Sequence, residues 1–215
     1  MEAKDKAEAK IVKLVLLKEG TFQGHSSCRV DINYPLIMIG AGQNKTFLSD
    51  YRLNIQGTKE EGNRVLLKDF TVSGARYGSG LTVFNGLSFL CERMTFTQCD
   101  SGVNAMETKG RLINCVITQC GYSGIVCSYN ALIDVEGSQT NIDGNCVDIS
   151  FVEQCFGLST DSTSSKIHLL FPLTKESVST NNNGCENYGG KGEIAIVDND
   201  GNRIEIINEA HACDY

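Results

Sequence analysis

Apolar and polar residues alternate in short bursts along this chain, and a glycine stands ahead of several of them. Gly80-Leu81-Thr82-Val83-Phe84, Gly102-Val103-Asn104-Ala105-Met106 and Gly124-Ile125-Val126-Cys127-Ser128 share one frame, with their glycines 22 residues apart twice. Alternation with a period of two belongs to a strand with one buried face. A second set lies upstream of the first: Asp69-Phe70-Thr71-Val72-Ser73, Arg93-Met94-Thr95-Phe96-Thr97 and Asn114-Cys115-Val116-Ile117-Thr118, at steps of 24 and 21. Thr97-Gln98-Cys99 returns as Thr118-Gln119-Cys120, and residues 135–144 read as a fourth, degenerate copy.

A repeat of this length made of short strands predicts a solenoid of two or three strands per turn. Equivalent side chains then stack in ladders ~4.8 Å apart. One ladder set puts Phe70/Val72, Met94/Phe96 and Cys115/Ile117 inside. The other puts Leu81/Val83, Val103/Ala105 and Ile125/Cys127 inside. A leucine-rich repeat has a similar length, but its leucine frame is missing. Residues 12–17 alternate poorly and read as a strand buried on both faces. The lead-in continues through Val30-Asp31-Ile32, Leu36-Ile37-Met38-Ile39, Leu53-Asn54-Ile55 and Val65-Leu66-Leu67.

A solenoid leaves open strand edges at both ends, which need covering. Residues 2–9 are charged and rich in helix formers, which predicts a short helical N-cap over residues 1–10. Regular turns are expected over residues 11–160, with a C-terminal cap from 161 to 215, all one domain. Within the cap, Ile194-Ala195-Ile196-Val197 and Arg203-Ile204-Glu205-Ile206-Ile207 flank Asp198-Asn199-Asp200-Gly201-Asn202, a hairpin signature.

Leu17-Lys18-Glu19-Gly20-Thr21-Phe22, then Pro35-Leu36-Ile37-Met38-Ile39-Gly40-Ala41-Gly42, then Thr46-Phe47-Leu48 resemble the opening of the right-handed parallel β-helix superfamily of pectate lyases and pectin methylesterases. The resemblance covers residues 10–160. It implies an all-β, single-stranded right-handed parallel β-helix. It transfers no activity, because the matching residues are scaffold.

Composition narrows the partners. Net charge is −7, so nucleic acid and anionic membranes are unfavourable partners. No apolar run reaches the length of a membrane span. Twenty-two glycines argue against a helical bundle. Ten cysteines could form a disulfide framework. No signal peptide is seen, however, and the chain is long enough to build a core without staples. Reduced, structural thiols and an intracellular location are therefore expected. Cys185 and Cys213 are the pair most open to bonding.

Candidate chemistry is sparse. His25, His168 and His211 are widely spaced, and no C-x-x-C or HExxH pattern occurs, so neither a metal nor a cofactor is expected. Asp198-x-Asp200-Gly201 has its glycine in the wrong place for an EF-hand loop. The superfamily's catalytic signatures are missing: the arginine setting of pectate lyases, the paired aspartates of pectin methylesterases, and the Gly-His-Gly of polygalacturonases. No catalytic residue is assigned. Two lanes remain. The residues ahead of the first ladder are Asp69, Arg93, Asn114 and Asp134, an ion pair or the start of a polar groove. The outward Phe84 and Met106, with Tyr77 and Tyr122 in the turns before them, suit stacking on sugar rings or a protein surface, unless the C-terminal tail covers them. The expected function is non-catalytic recognition of a polysaccharide or protein along a side face. The alternative is a carbohydrate-active enzyme (lyase, hydrolase or epimerase) with a non-standard site. Oligomeric state is not fixed by the sequence.

Overall fold

The computed structural model describes residues 12–58, 64–148, 155–184 and 186–207. The expected N-terminal helix and Cys185, His211 and Cys213 lie outside the described residues.

The chain folds as a parallel β-solenoid of about seven turns, with almost no helix. The first turn is β1 (Lys13–Leu16) and the long β2 (Gly20–Ile32). The second is β3 (Leu36–Ile39) and the equally bent β4 (Thr46–Gln56). Three strands per turn then separate: β5 (Arg64–Lys68), β6 (Thr71–Ser73) and β7 (Leu81–Phe84); β8 (Ser88–Glu92), β9 (Thr95–Thr97) and β10 (Val103–Met106); β11 (Lys109–Ile113), β12 (Val116–Thr118) and β13 (Ile125–Ser128); β14 (Leu132–Glu136), β15 (Asn141–Asp143) and β16 (Phe156–Thr160). The seventh turn holds β17 (Lys166–Leu170), the one-turn helix α1 (Lys175–Val178), β18 (Ser179–Thr180) and β19 (Glu186–Gly190). β20 (Glu193–Val197) stacks next, and β21 (Arg203–Ile206) folds back on it antiparallel.

These strands make three faces. The first is β1-β3-β5-β8-β11-β14-β17-β20. The second runs β4-β6-β9-β12-β15-β18, and the third β4-β7-β10-β13-β16-β19. β4 belongs to both, so the second and third faces form one continuous sheet. Eight rungs at ~4.8 Å make a rod about 34 Å long. The predicted ladders hold: Phe70, Met94 and Cys115 are buried, as are Leu81, Val103 and Ile125, each in register with its neighbours. The first face supplies a third inward set, Val65/Leu67, Phe89/Cys91, Leu112 and Ile133/Val135, that the sequence reading did not separate.

The corners explain the punctuation of the sequence. Gly80, Gly102 and Gly124 stand just ahead of the third-face strands β7, β10 and β13, and Gly157, inside β16, continues their lane. A Cβ on Gly102 would run into Ile117 Cγ2, and one on Gly124 would lie 2.6 Å from Ile142 Cγ2. The 22-residue glycine spacing therefore records close approach of each corner to the core. At the corner between the first and second faces the backbone is left-handed: φ is +60° at Asp69, +49° at Arg93, +52° at Asn114 and +90° at Gly137. Asp and Asn tolerate this region better than most residues, and Gly does so freely.

Several expectations change. The lane through Asp69, Arg93 and Asn114 continues to Gly137, not to Asp134, because the amide of Asn114 donates to the carbonyl of Glu136. Val135 belongs to β14, and the fourth copy of the ladder is β15, with Ile142 over Ile117. Residues 12–17 are not buried on both faces. Leu14 and Leu16 are level with the outward Ile37 and Ile39 of β3 and are 59% and 69% exposed, and β1 has a strand neighbour on one side only among the described residues. Parallel stacking also runs past residue 160, as β17 and β20 extend the first face. The hairpin forms as its pattern predicts and lies along that end. The Asp198 carboxylate accepts the amides of Asp200 and Asn202 at 2.9 and 2.7 Å, so this aspartate closes a turn.

Candidate functional site

The third face has the richest outward chemistry. Inward residues of its strands are apolar, so the alternate positions point away from the core; Thr82 and Asn104 there are half-buried, while Asn54, Ser128 and Ser159 are buried. Reading across the rungs, one outward lane is Asp31, Asn54, Thr82, Asn104, Val126 and Ser159. The next is Gln56, Phe84, Met106 and Ser128. Asn54 Nδ2 donates to Asp31 Oδ1 at 2.7 Å and, with Arg29 beside it, holds that carboxyl below its ordinary range. Asn104 Oδ1 is buried without a hydrogen-bond partner among the described residues, as is Nε of Arg52, whose Nη1 donates to the Tyr77 carbonyl at 2.5 Å. Unpaired buried polar atoms are uncommon and call for an explanation.

One margin of the face is formed by the corner loops ahead of β7, β10 and β13. Tyr77 is 71% exposed there. Tyr122 is half-buried, with its amide on the Asp100 carbonyl, and the Asp148 amide bonds to Gly121. Asp100 and Asp148 thus belong to the turns on either side of Tyr122. Burial raises the Tyr122 hydroxyl pKa, and the charges of Asp148 and Asp100 add to the rise. Burial also pushes the Asp100 carboxyl up, assisted by Asp148. Phe84 and Met106, half-buried and in register, form the opposite margin. None of the described C-terminal strands lies over them.

Four of the six residues singled out from the sequence, Tyr77, Phe84, Met106 and Tyr122, therefore border one face. Asp69 and Arg93 do not join them. They sit at the corner between the other two faces, where Arg93 Nε and Nη2 grip the Asp69 carboxylate at 2.7 and 2.9 Å. Glu92 joins this pair, and hydrogen bonding from Lys68 leads in holding its pKa down. Asp134 faces outward on the first face beside Arg111 and His168, at 3.2 and 3.4 Å. The sequence reading missed Asn54, Thr82, Asn104 and Asp100. Their signal was available as the polar alternates of strands already recognised.

Between β13 and β16 the face dips into a cavity of about 220 Å³ lined by Ser101, Tyr122, Ser123, Val126, Cys155, Ser159 and Asp161. The Asp161 carboxylate accepts hydrogen bonds from Ser159 at 3.0 Å and Ser128 at 3.3 Å. Among the described residues no cluster of three His, Cys, Asp or Glu side chains could hold a metal.

Comparison of the chain with protein-family models, curated proteins and solved structures finds no match in any of the three. What the fold defines is the class, a parallel β-solenoid.

Proposed function

We propose that this protein is a recognition module of the pectate-lyase-like β-helix type that holds a glycan along its third face without turning it over. The observation that carries this reading is the lane Asn54–Thr82–Asn104–Val126–Ser159, polar except at Val126 and open to solvent chiefly at Thr82 and Asn104, running between two margins, Tyr77 and Tyr122 on one side and Phe84 and Met106 on the other. Rungs ~4.8 Å apart repeat on the scale of a sugar ring. Sugar recognition calls for hydrogen bonds from side-chain amides and hydroxyls, together with apolar surface for the ring faces.

A carbohydrate-active enzyme is the second reading. It is favoured by one observation: Asp100 is a carboxyl raised by burial and by Asp148, the kind of perturbation a general acid needs. A glycan array followed by titration of the best ligand tests both. The recognition reading expects binding that is weakened about tenfold by Asn104→Ala or Tyr77→Ala, with the ligand recovered intact. Cleavage that Asp100→Asn abolishes would replace it with the enzyme reading. A clean array with every glycan class represented would remove both.

A further inference from the structure

Four of the described thiols share one habit. Cys99, Cys115, Cys120 and Cys127 each donate to a backbone carbonyl, those of Thr97, Cys91, Thr118 and Lys166. Cys146 differs, because its thiol donates to the sulfur of Cys155. Both residues are buried. The surrounding chain holds the pair from several sides. The Cys146 amide donates to the Tyr122 carbonyl at 2.9 Å, and the Phe156 amide, next to Cys155, donates to Ser123 Oγ at 3.1 Å. Gly184 packs over both cysteines: a Cβ there would lie 2.9 Å from Cys146 Sγ and would run into the Cys155 carbonyl. Cys155 also lines the cavity between β13 and β16, which gives a small solute a way to this residue.

We propose that Cys146 and Cys155 are a reversible disulfide site, closed by a peroxide, which ties the corner behind Tyr122 to the start of β16. The site does not depend on what the third face binds. The Cys155 thiolate attacks one peroxide oxygen, the O–O bond breaks, and the released hydroxide takes up the thiol proton and leaves as water. The Cys146 sulfur then attacks the Cys155 sulfenic acid. The S–S bond forms, the S–O bond breaks, and a second water leaves with the Cys146 proton. Two thiols are oxidised and one peroxide is reduced to two waters. Burial raises the Cys155 thiol pKa, the hydrogen bond from Cys146 works against that rise, and Asp148 adds to it. Thiolate is therefore scarce and closure is slow. Eight residues, 147–154, separate the two cysteines, so the bond closes a short loop that includes Val147 and Asp148, whose amides donate to the Cys120 and Gly121 carbonyls.

Full-length protein that has been reduced and freed of reductant is held folded with hydrogen peroxide. It is then unfolded, its remaining thiols are alkylated, and its peptides are weighed. The expected product is one linked peptide pair, Cys146 to Cys155, lighter by two hydrogens and restored by dithiothreitol. Cys99, Cys115, Cys120 and Cys127 should stay open to alkylation over the same time. Cys146→Ser should prevent the link and leave Cys155 as a sulfenic acid that dimedone traps. Cys120→Ser removes the other thiol whose charge acts on this corner and should leave the link intact. The linked protein should melt higher than the reduced protein by roughly 5 °C, because the closed loop restricts the unfolded chain. A link from Cys155 to Cys185, or from Cys146 to Cys120, overturns the proposal. So does the absence of any link while the protein stays folded. A link that lowers the melting temperature also overturns it, since the native corner then fails to hold the geometry of the bond.

Discussion

Asn145 Nδ2 donates to Asn182 Oδ1 at 3.0 Å, one turn further along the rod, while the Asn145 amide reaches the same oxygen at 2.9 Å. Asn145 is fully buried; it also donates to the Ile117 carbonyl and accepts the Cys120 amide. Asn182 continues the chain of bonds to Asn187 at 2.8 Å. These carboxamides satisfy backbone groups at a corner where the strands have ended. Asn145→Ala should therefore lower stability by about 2–3 kcal/mol, because it strands buried donors and acceptors. Urea unfolding with an unchanged m-value would verify this. A loss under ~0.5 kcal/mol would mean that water replaces the side chain.

The glycine lane should be among the least tolerant positions. Gly102→Ala places a methyl group against Ile117 and 2.6 Å from the Gly124 carbonyl oxygen, inside a stack that cannot widen without breaking its ladders. A loss of roughly 3 kcal/mol or more, or no soluble protein, is expected. Gly201→Ala has open space around it but a φ of +83°, and should cost only about 1–2 kcal/mol. Thermal melts of the pair rank the two costs, and the reverse order would contradict the packing argument.

Stability should fall in acid and respond oppositely to two aspartates. Burial alone would raise the Asp134 pKa, but hydrogen bonds with His168 and Arg111 hold it below its ordinary value. A depressed carboxyl contributes stability above its unfolded pKa of about 3.9, and that contribution disappears as pH falls through the folded value. Asp100 is raised, by burial first and then by Asp148, so its ionised form costs stability at neutral pH and the cost is relieved in acid. At pH near 7, Asp134→Asn should lower the melting temperature and Asp100→Asn should raise it. The two differences from wild type should both shrink below about pH 4. Melting curves across that range decide the signs.

Seven of the eight described cysteines are buried. Burial raises the Cys99 thiol pKa to about 11 and those of Cys115 and Cys127 to about 12. Thiolate, the reactive form, is therefore scarce at these sites at neutral pH. Native protein treated with iodoacetamide should label slowly at these positions. Protein unfolded without reductant should label at all eight, as read by peptide mass. Rapid native labelling of Cys115 would show that the rod opens there.

The ion pair of Asp69 with Arg93 should prove a minor term. Both side chains are partly exposed, at 22% and 38%, so solvent screens them. A double-mutant cycle should give a coupling of about 1 kcal/mol or less, shrinking with added salt. A coupling well above that would indicate that the bond is also offsetting the left-handed backbone at Arg93.

The solenoid was legible because its signal is local and repeated. A strand's inward face is fixed by alternation, and copies of Phe70-Thr71-Val72 and Leu81-Thr82-Val83 at near-constant spacing stack only one way. Where the spacing drifted, the reading slipped. Nothing in residues 132–144 alone says that Val135 belongs to the first face and Ile142 to the second, because register is set by hydrogen bonds to the neighbouring turn. The two-sided burial expected for residues 12–17 failed for a related reason. Hydrophobicity marks a residue that could be buried, but the register with β3 puts Leu14 and Leu16 on the outward side of the pleat, level with Ile37 and Ile39.

The sequence by itself determined the repeat, the inward ladders, the hairpin and the glycine corners, all of which depend on residues close together along the chain. Only the tertiary structure decided which exposed groups share a surface. It put Tyr77, Tyr122, Phe84 and Met106 on the borders of one face, sent Asp69 and Arg93 to another corner, and brought Asp161 into a cavity with Tyr122. That division follows from geometry. A turn of the solenoid sends residues a few positions apart to different corners, while residues about 22 or more positions apart become nearest neighbours across a 4.8 Å step.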